Sequence, residues 1–183
     1  MDFIEWLTSV TQLPASVLFL LLAAAFIAGF IDAIAGGGGL LTVPALLASG
    51  LPPHIALGTN KLAATFGSLT ASYAFYKKQL FSPKFWRLSL FTTAIGAILG
   101  TVIVSFIDAS ILNKVLPIFI GFSALYTLFN PIRASENSAL PTQISHLRAK
   151  QTGQGLLLGF YDGFAGPGTG AFWTVSNLIL YKM

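Results

Sequence analysis

The sequence contains no cysteine and very little charge. Of its 183 residues only 9% are Asp, Glu, Lys or Arg, compared with about 25% in an ordinary soluble domain. The absence of cysteine excludes disulfides and thiolate metal sites, and the two histidines, His54 and His146, are too far apart to indicate a metal centre. We therefore expect neither a metal nor a cofactor.

Other functional signatures are missing as well. The basic residues are not interleaved with stacking aromatic residues on a polar face, which argues against nucleic-acid binding. There is no nucleophile elbow, metal-ligand spacing or P-loop, so an enzyme is not expected. The chain is instead 55% hydrophobic along its whole length. This composition is typical of an all-α, polytopic protein embedded in a lipid bilayer.

The apolar runs predict one membrane domain over residues 1–183. Crossing the hydrocarbon core takes roughly 20 apolar residues, and a shorter run, residues 40–51, is predicted to be a half-helix or re-entrant arm. The runs long enough to span are residues 15–35, 54–76, 88–107, 111–129 and 153–181.

The basic residues predict the orientation. Seven of the ten Lys and Arg residues lie within residues 77–87 and 133–150. By the positive-inside rule, the connections 77–87 and 130–152 face the cytoplasm. We prefer a first span that runs inward from an outer N-terminus. An outward first span followed by a shallow re-entrant loop is the open alternative.

Small residues predict where helices pack. Gly96 and Gly100 form a Gly-x-x-x-Gly face, and Ala63, Gly67 and Ala71 form a similar stripe in the span before it. Such residues let membrane helices approach closely.

Four consecutive glycines, Gly36, Gly37, Gly38 and Gly39, follow the first span. Glycine permits positive φ and close backbone approach, so this stretch predicts a helix break. Inside a bilayer, irregular backbone is tolerated only where it is buried in protein or lines a wet cavity. The break therefore indicates a site.

The same pattern recurs 130 residues later. Six of ten positions are identical between residues 29–38 and 159–168, including Asp32 and Asp162. We interpret residues 1–130 as one repeat, 131–152 as a linker and 153–183 as the start of a second repeat in the opposite sense. Inverted repeats with broken helices are typical of secondary transporters. Because the later spans of the second repeat are missing, we expect a fragment or truncated product of a longer protein.

Three ordered motifs, residues 29–44, 56–61 and 159–170, resemble the TauE/SafE-like sulfite exporters, also called the 4-toluene sulfonate uptake permease family. The resemblance implies an inner-membrane permease of two related halves that moves small anions such as sulfite or organosulfonates. One departure is that no counterpart of Thr59-Asn60-Lys61 follows the second glycine-rich motif.

An anion path would use helix N-termini, exposed backbone, hydroxyls and a cation. The alternative is that the glycines only permit close packing and a sharp turn. The candidate path residues are Gly36, Gly37, Gly38, Gly39, Thr59, Asn60, Lys61, Gly166, Pro167, Gly168, Thr169 and Gly170.

Three charged residues lie within or beside these motifs. Lys61 belongs to the site or to an ion pair, or else reaches the membrane surface as a snorkelling side chain. Asp32 and Asp162 each precede a glycine run. They relay protons, pair with Lys61, or cap the following half-helix.

Together these features predict a secondary carrier for small anions, coupled to protons through the two aspartates. The alternatives are a non-transporting remnant or structural membrane subunit and, third, a channel-like pore. A homo-oligomer is compatible with each.

Overall fold

The structure is a computed structural model that describes residues 2–79, 82–129 and 146–181. Within these ranges the chain forms helices and no strands. In chain order the helices are α1 (Phe3–Thr11), α2 (Ala15–Ala35), α3 (Gly39–Ala48), α4 (Pro53–Lys77), α5 (Pro83–Ser105), α6 (Ala109–Phe129), α7 (Leu147–Phe164) and α8 (Thr169–Tyr181).

Three of these helices are long and apolar enough to cross a membrane: residues Ala15–Ala33 of α2, all of α5 and all of α6. They carry large apolar side chains on the surface, such as Phe26, which is 80% exposed. Helix α4 has 25 residues but is not among the three. The predicted fold class, an all-α multi-pass membrane protein, is confirmed.

The start of α5 and the presence of α1 differ from the predictions. α5 begins at Pro83 and not at residue 88, because proline suits the first helical position, where no N–H is needed. Lys84 and Arg87 therefore lie in the first turns of α5, and the basic connection is shorter than predicted. α1 was not predicted. Its start is stabilised by a capping box between Asp2 and Glu5.

The predicted linker, residues 131–152, lies mostly outside the described residues. α7 begins at Leu147, so the end of that segment is helical and not a connection. One reason is Gln151, which is buried and donates from Nε2 to the Phe85 carbonyl oxygen of α5 at 2.8 Å.

The packing face of Gly96 and Gly100 is confirmed. A Cβ added at Gly96 would lie 2.8 Å from the Phe160 nitrogen, and one at Gly100 would lie 2.7 Å from the Phe164 nitrogen. α5 and α7 therefore touch backbone to backbone, as small residues allow in membranes.

The stripe in α4 behaves differently. Ala63 and Gly67 are exposed, and a Cβ at Gly67 would meet no described atom within 4 Å. Close packing of this stripe stays a prediction, as do the inverted sense of the repeats and the sides of the membrane that the connections face.

A buried apolar cluster holds the two glycine-rich regions together. It joins Val43 of α3, Leu57 of α4, Leu112 and Leu116 of α6, and Ala165 just after α7. Because α3 and Ala165 adjoin the two breaks, this cluster sets the distance between them.

Candidate functional site

The first helix break lies where the four glycines predict it. α2 ends at Ala35, and Gly36 adopts a left-handed conformation with φ 67° and donates its N–H to the Asp32 carbonyl oxygen at 2.9 Å. α3 then begins at Gly39. Positive φ at Gly36 is a conformation that residues with a Cβ rarely adopt.

The second break separates α7 from α8. Gly166 and Gly168 have φ values of 86° and 81°, and α8 begins at Thr169. The chain here turns within four residues, from Ala165 to Gly168. Both glycine-rich motifs therefore interrupt helices.

The two breaks are in backbone contact. The N–H of Gly170 donates to the Gly36 carbonyl oxygen at 3.1 Å, and a Cβ added to Gly36 would lie only 2.6 Å from the Gly170 Cα. A Cβ at Gly39 would lie 3.3 Å from the Pro167 Cα. Residues more than 100 positions apart thus meet at one junction. A side chain at Gly36 or Gly170 would push the two breaks apart.

Lys61 reaches the second break from α4. Its Nζ donates to the backbone carbonyl oxygen of Asp162 and lies 3.5 Å from Asp162 Oδ2. Thr169 Oγ1 donates to the Gly166 carbonyl oxygen at 2.6 Å and lies 3.1 Å from the other carboxylate oxygen, Oδ1. Of the roles open to Asp162, the geometry shows an ion pair with Lys61, in which the two side chains are 28% and 44% exposed.

Asp32 occupies the equivalent position in the first motif but has a different partner. Its Oδ1 accepts the N–H of Gly38 at 2.9 Å, just before α3. A carboxylate there satisfies an amide that has no partner within the helix and complements the helix dipole. Asp32 therefore caps α3, whereas Asp162 holds a lysine.

Asn60 and Thr59 lie on different sides of α4. Asn60 is buried, and its Oδ1 accepts a hydrogen bond from Thr42 Oγ1 of α3. A Cβ at Gly39 would lie 3.2 Å from Asn60 Nδ2, so Asn60 supports the first break. Thr59 is exposed and lines a small cleft between α2, α3 and α4.

Three residues of this site were not predicted from the sequence: Thr42, Tyr161 and Ser123. Tyr161 donates from its hydroxyl to the Pro167 carbonyl oxygen at 2.7 Å, and Ser123 Oγ lies 2.5 Å from the same hydroxyl. Ser123 is fully buried in α6. The sequence signal available for Ser123 was a serine within an otherwise apolar run.

Broken helices that meet beside an ion pair, in an all-helical multi-pass protein, are features of the membrane transporter class. Comparison with known families agrees. The profile of the family described as "Sulfite exporter TauE/SafE" matches residues 21–183, and the chain belongs to this family.

Curated relatives carry similar names. A "Probable membrane transporter protein" of Haemophilus influenzae is 44% identical over 167 residues, which cover 89% of this chain and 63% of that protein. "Probable membrane transporter protein YfcA" of Escherichia coli K12 is 37% identical, with 98% of this chain and 65% of the relative covered. The chain thus spans less than two thirds of these relatives. No solved structure gives a significant match.

Proposed function

We propose that this protein is a secondary carrier that moves small anions of the sulfite or organosulfonate type across the bacterial inner membrane. The observation that carries the proposal is the junction of the two glycine breaks beside Lys61. The description of the family as sulfite exporters supports the substrate class. The names of the relatives support transport without naming a substrate.

The junction contains the groups that an anion requires. The first amides of a helix have no partner within it, and the helix dipole favours negative charge there. At α3, Asp32 already occupies the Gly38 amide, and at α8 the Gly170 amide already donates to the Gly36 carbonyl oxygen. The two N-termini therefore differ in charge: a carboxylate caps α3, whereas Lys61 places a positive charge beside α8. We assign the anion to the N-terminal end of α8, beside Lys61 and the Thr169 hydroxyl.

The charges at the junction favour coupling to protons. Two carboxylates, Asp32 and Asp162, accompany one ammonium group, Lys61. Lys61 balances Asp162 in the ion pair. Among the residues that the structure describes, Asp32 is then balanced only by the N-terminus of α3. An anion that enters this site adds a second uncompensated charge, which is costly within a membrane. Uptake of one proton by Asp32 offsets that charge, so we propose that anion and proton move together.

The experiment is a flux assay in proteoliposomes with labelled sulfite and a panel of organosulfonates. Lys61→Ala removes the cation of the junction and should abolish anion uptake. Lys114→Ala is the matched control, because Lys114 is an exposed lysine near the start of α6 and should retain wild-type flux. Equal flux in the two variants would contradict the assignment of Lys61.

Two further measurements test the anion path and its coupling to protons. Gly38→Leu should stop flux, since even a Cβ there would lie 2.6 Å from the Ala28 carbonyl oxygen and 2.7 Å from the Asp32 Cβ. An inward proton gradient should accelerate uptake in the wild type but not in Asp32→Asn. A wild-type protein that moves no anion of the panel would favour the alternative of a structural, non-transporting membrane subunit.

A further inference from the structure

A chain of hydrogen bonds joins α6 and α7 to the second helix break. The Tyr161 hydroxyl donates to the Pro167 carbonyl oxygen at 2.7 Å, and Ser123 Oγ lies 2.5 Å from that hydroxyl. A phenol carries a single proton. Because that proton goes to Pro167, Ser123 must donate to Tyr161, and the direction of the chain is fixed. Neither hydroxyl therefore has a proton left to offer an anion.

The ring of Tyr161 is held by two other helices. Its centroid lies 6.2 Å from that of Phe119 in α6 and 5.1 Å from that of Phe172 in α8. Ser123 is fully buried, and a Cβ added to Gly168 would lie 2.8 Å from the Ser123 Cβ. Packing thus fixes the position of the Tyr161 hydroxyl. A phenylalanine would keep the ring contacts and lose only the hydrogen bonds.

The chain fixes one peptide group of the break. The peptide bond between Pro167 and Gly168 is trans, so the Gly168 N–H points opposite to the carbonyl that Tyr161 holds. The next two amides, of Thr169 and Gly170, already donate to backbone carbonyl oxygens. Gly168 is buried, and within the described ranges its N–H has no hydrogen-bond partner. Buried amides without a partner are rare, so this N–H is suited to a ligand that accepts hydrogen bonds.

The first break lacks a tyrosine at the equivalent position. The offset of 130 places Ile31 on Tyr161, and isoleucine has no hydroxyl. Lys61 likewise belongs to the second break, because a Cβ added to Gly166 would lie 3.2 Å from Lys61 Nζ. The tyrosine and the lysine therefore distinguish the same break from its repeat, and this is the break to which we assign the anion.

We propose that Tyr161, itself oriented by Ser123, is a positioning residue that directs the Gly168 N–H to the anion held beside Lys61. The inference rests on the proposed function, to whose anion site it adds a specific backbone donor. The anion accepts a hydrogen bond from the Gly168 N–H while the Lys61 ammonium balances its charge. The oxygens of a sulfite or sulfonate group allow both contacts at once.

The test observes the Gly168 N–H directly. Pro167-Gly168 is the only Pro-Gly pair in the sequence. Protein labelled with ¹³C at the proline carbonyl and ¹⁵N in glycine therefore gives a single peak in a carbonyl–amide correlation spectrum. Titration with sulfite should shift this peak in the wild type. The Kd from the titration should rise about 10-fold in Tyr161→Phe, because the amide loses its alignment with a charged acceptor. Ser123→Ala should give a smaller rise, since Tyr161 keeps its own bond to Pro167.

Tyr73→Phe is the matched control, because Tyr73 is exposed on α4, and its Kd should equal the wild-type value. A merely structural role for Tyr161 would lower the fraction of folded protein and leave the Kd unchanged. Equal Kd values for Tyr161→Phe and the wild type would therefore overturn the proposal.

Labelled-sulfite flux in proteoliposomes separates this inference from the proposed function. A wild type that transports sulfite but shows no shift at Gly168 would refute the inference and leave the carrier intact. A wild type whose Gly168 peak shifts but which moves no anion would support the inference and contradict the carrier. Neither shift nor flux would contradict both.

Discussion

Replacing Gly170 by alanine tests whether the two helix breaks are truly in backbone contact. An added Cβ would lie 2.7 Å from the Gly36 carbonyl carbon, and closer still to its oxygen and Cα. Real Cβ atoms essentially never approach within 3.0 Å. Because the neighbour is backbone, no rotamer change can relieve the contact, and the two breaks must move apart.

The expected cost follows from two opposing effects. Overpacking a well-packed site typically lowers the free energy of unfolding by about 1–3 kcal/mol. We expect a value near the upper end of this range, because the Gly36 backbone cannot move aside as a side chain can. Alanine in a helix regains about 0.5–1 kcal/mol relative to glycine. The net loss is then about 2 kcal/mol, which corresponds to a fall in Tm of roughly 4–8 °C for a chain of this size.

The assay is thermal unfolding of the detergent-solubilised protein followed by tryptophan fluorescence, for which Trp173 on α8 lies three residues from the substitution. Gly121→Ala is the control, because it lies within α6 with open space around it, and its Tm should stay equal or rise slightly. The Tm of Gly36→Ala should fall further than that of Gly170→Ala, since the φ of 67° at Gly36 adds about 1–2 kcal/mol of strain once a Cβ is present. A Gly170→Ala protein as stable as Gly121→Ala would refute the backbone contact.

Three further predictions concern α7, α3 and the topology. Gln154→Leu removes a buried amide that hydrogen-bonds side chains of α8, so stability should fall by about 1–3 kcal/mol; an unchanged Tm would contradict that role. Asp32→Ala should lose about 1 kcal/mol as the α3 cap disappears, whereas Asp32→Asn should retain it; equal Tm values would argue against capping. Single cysteines at Lys78 and Asp108, unique in a chain without cysteine, should react with an impermeant reagent from opposite sides; labelling from one side would overturn the orientation.

Much of the fold could be predicted from local properties of the sequence. Apolar runs of sufficient length predicted α2, α5 and α6, because burial in lipid requires an apolar side chain at nearly every position. The glycine runs predicted both helix breaks, because positive φ is a property of single residues. The packing face of Gly96 and Gly100 was also predictable from spacing alone, although its partner, α7, was not.

Only the tertiary structure decided how the two motifs are used. Asp32 and Asp162 occupy the same place in one repeated motif, yet the first caps α3 and the second pairs with Lys61. The motif cannot distinguish these roles, since the difference comes from α4, which brings its lysine to the second break. The contact of Gly36 with Gly170, and the support of the second break by Ser123, likewise join residues far apart in the chain. Such contacts depend on how whole helices pack, and no local pattern records which of them will be neighbours.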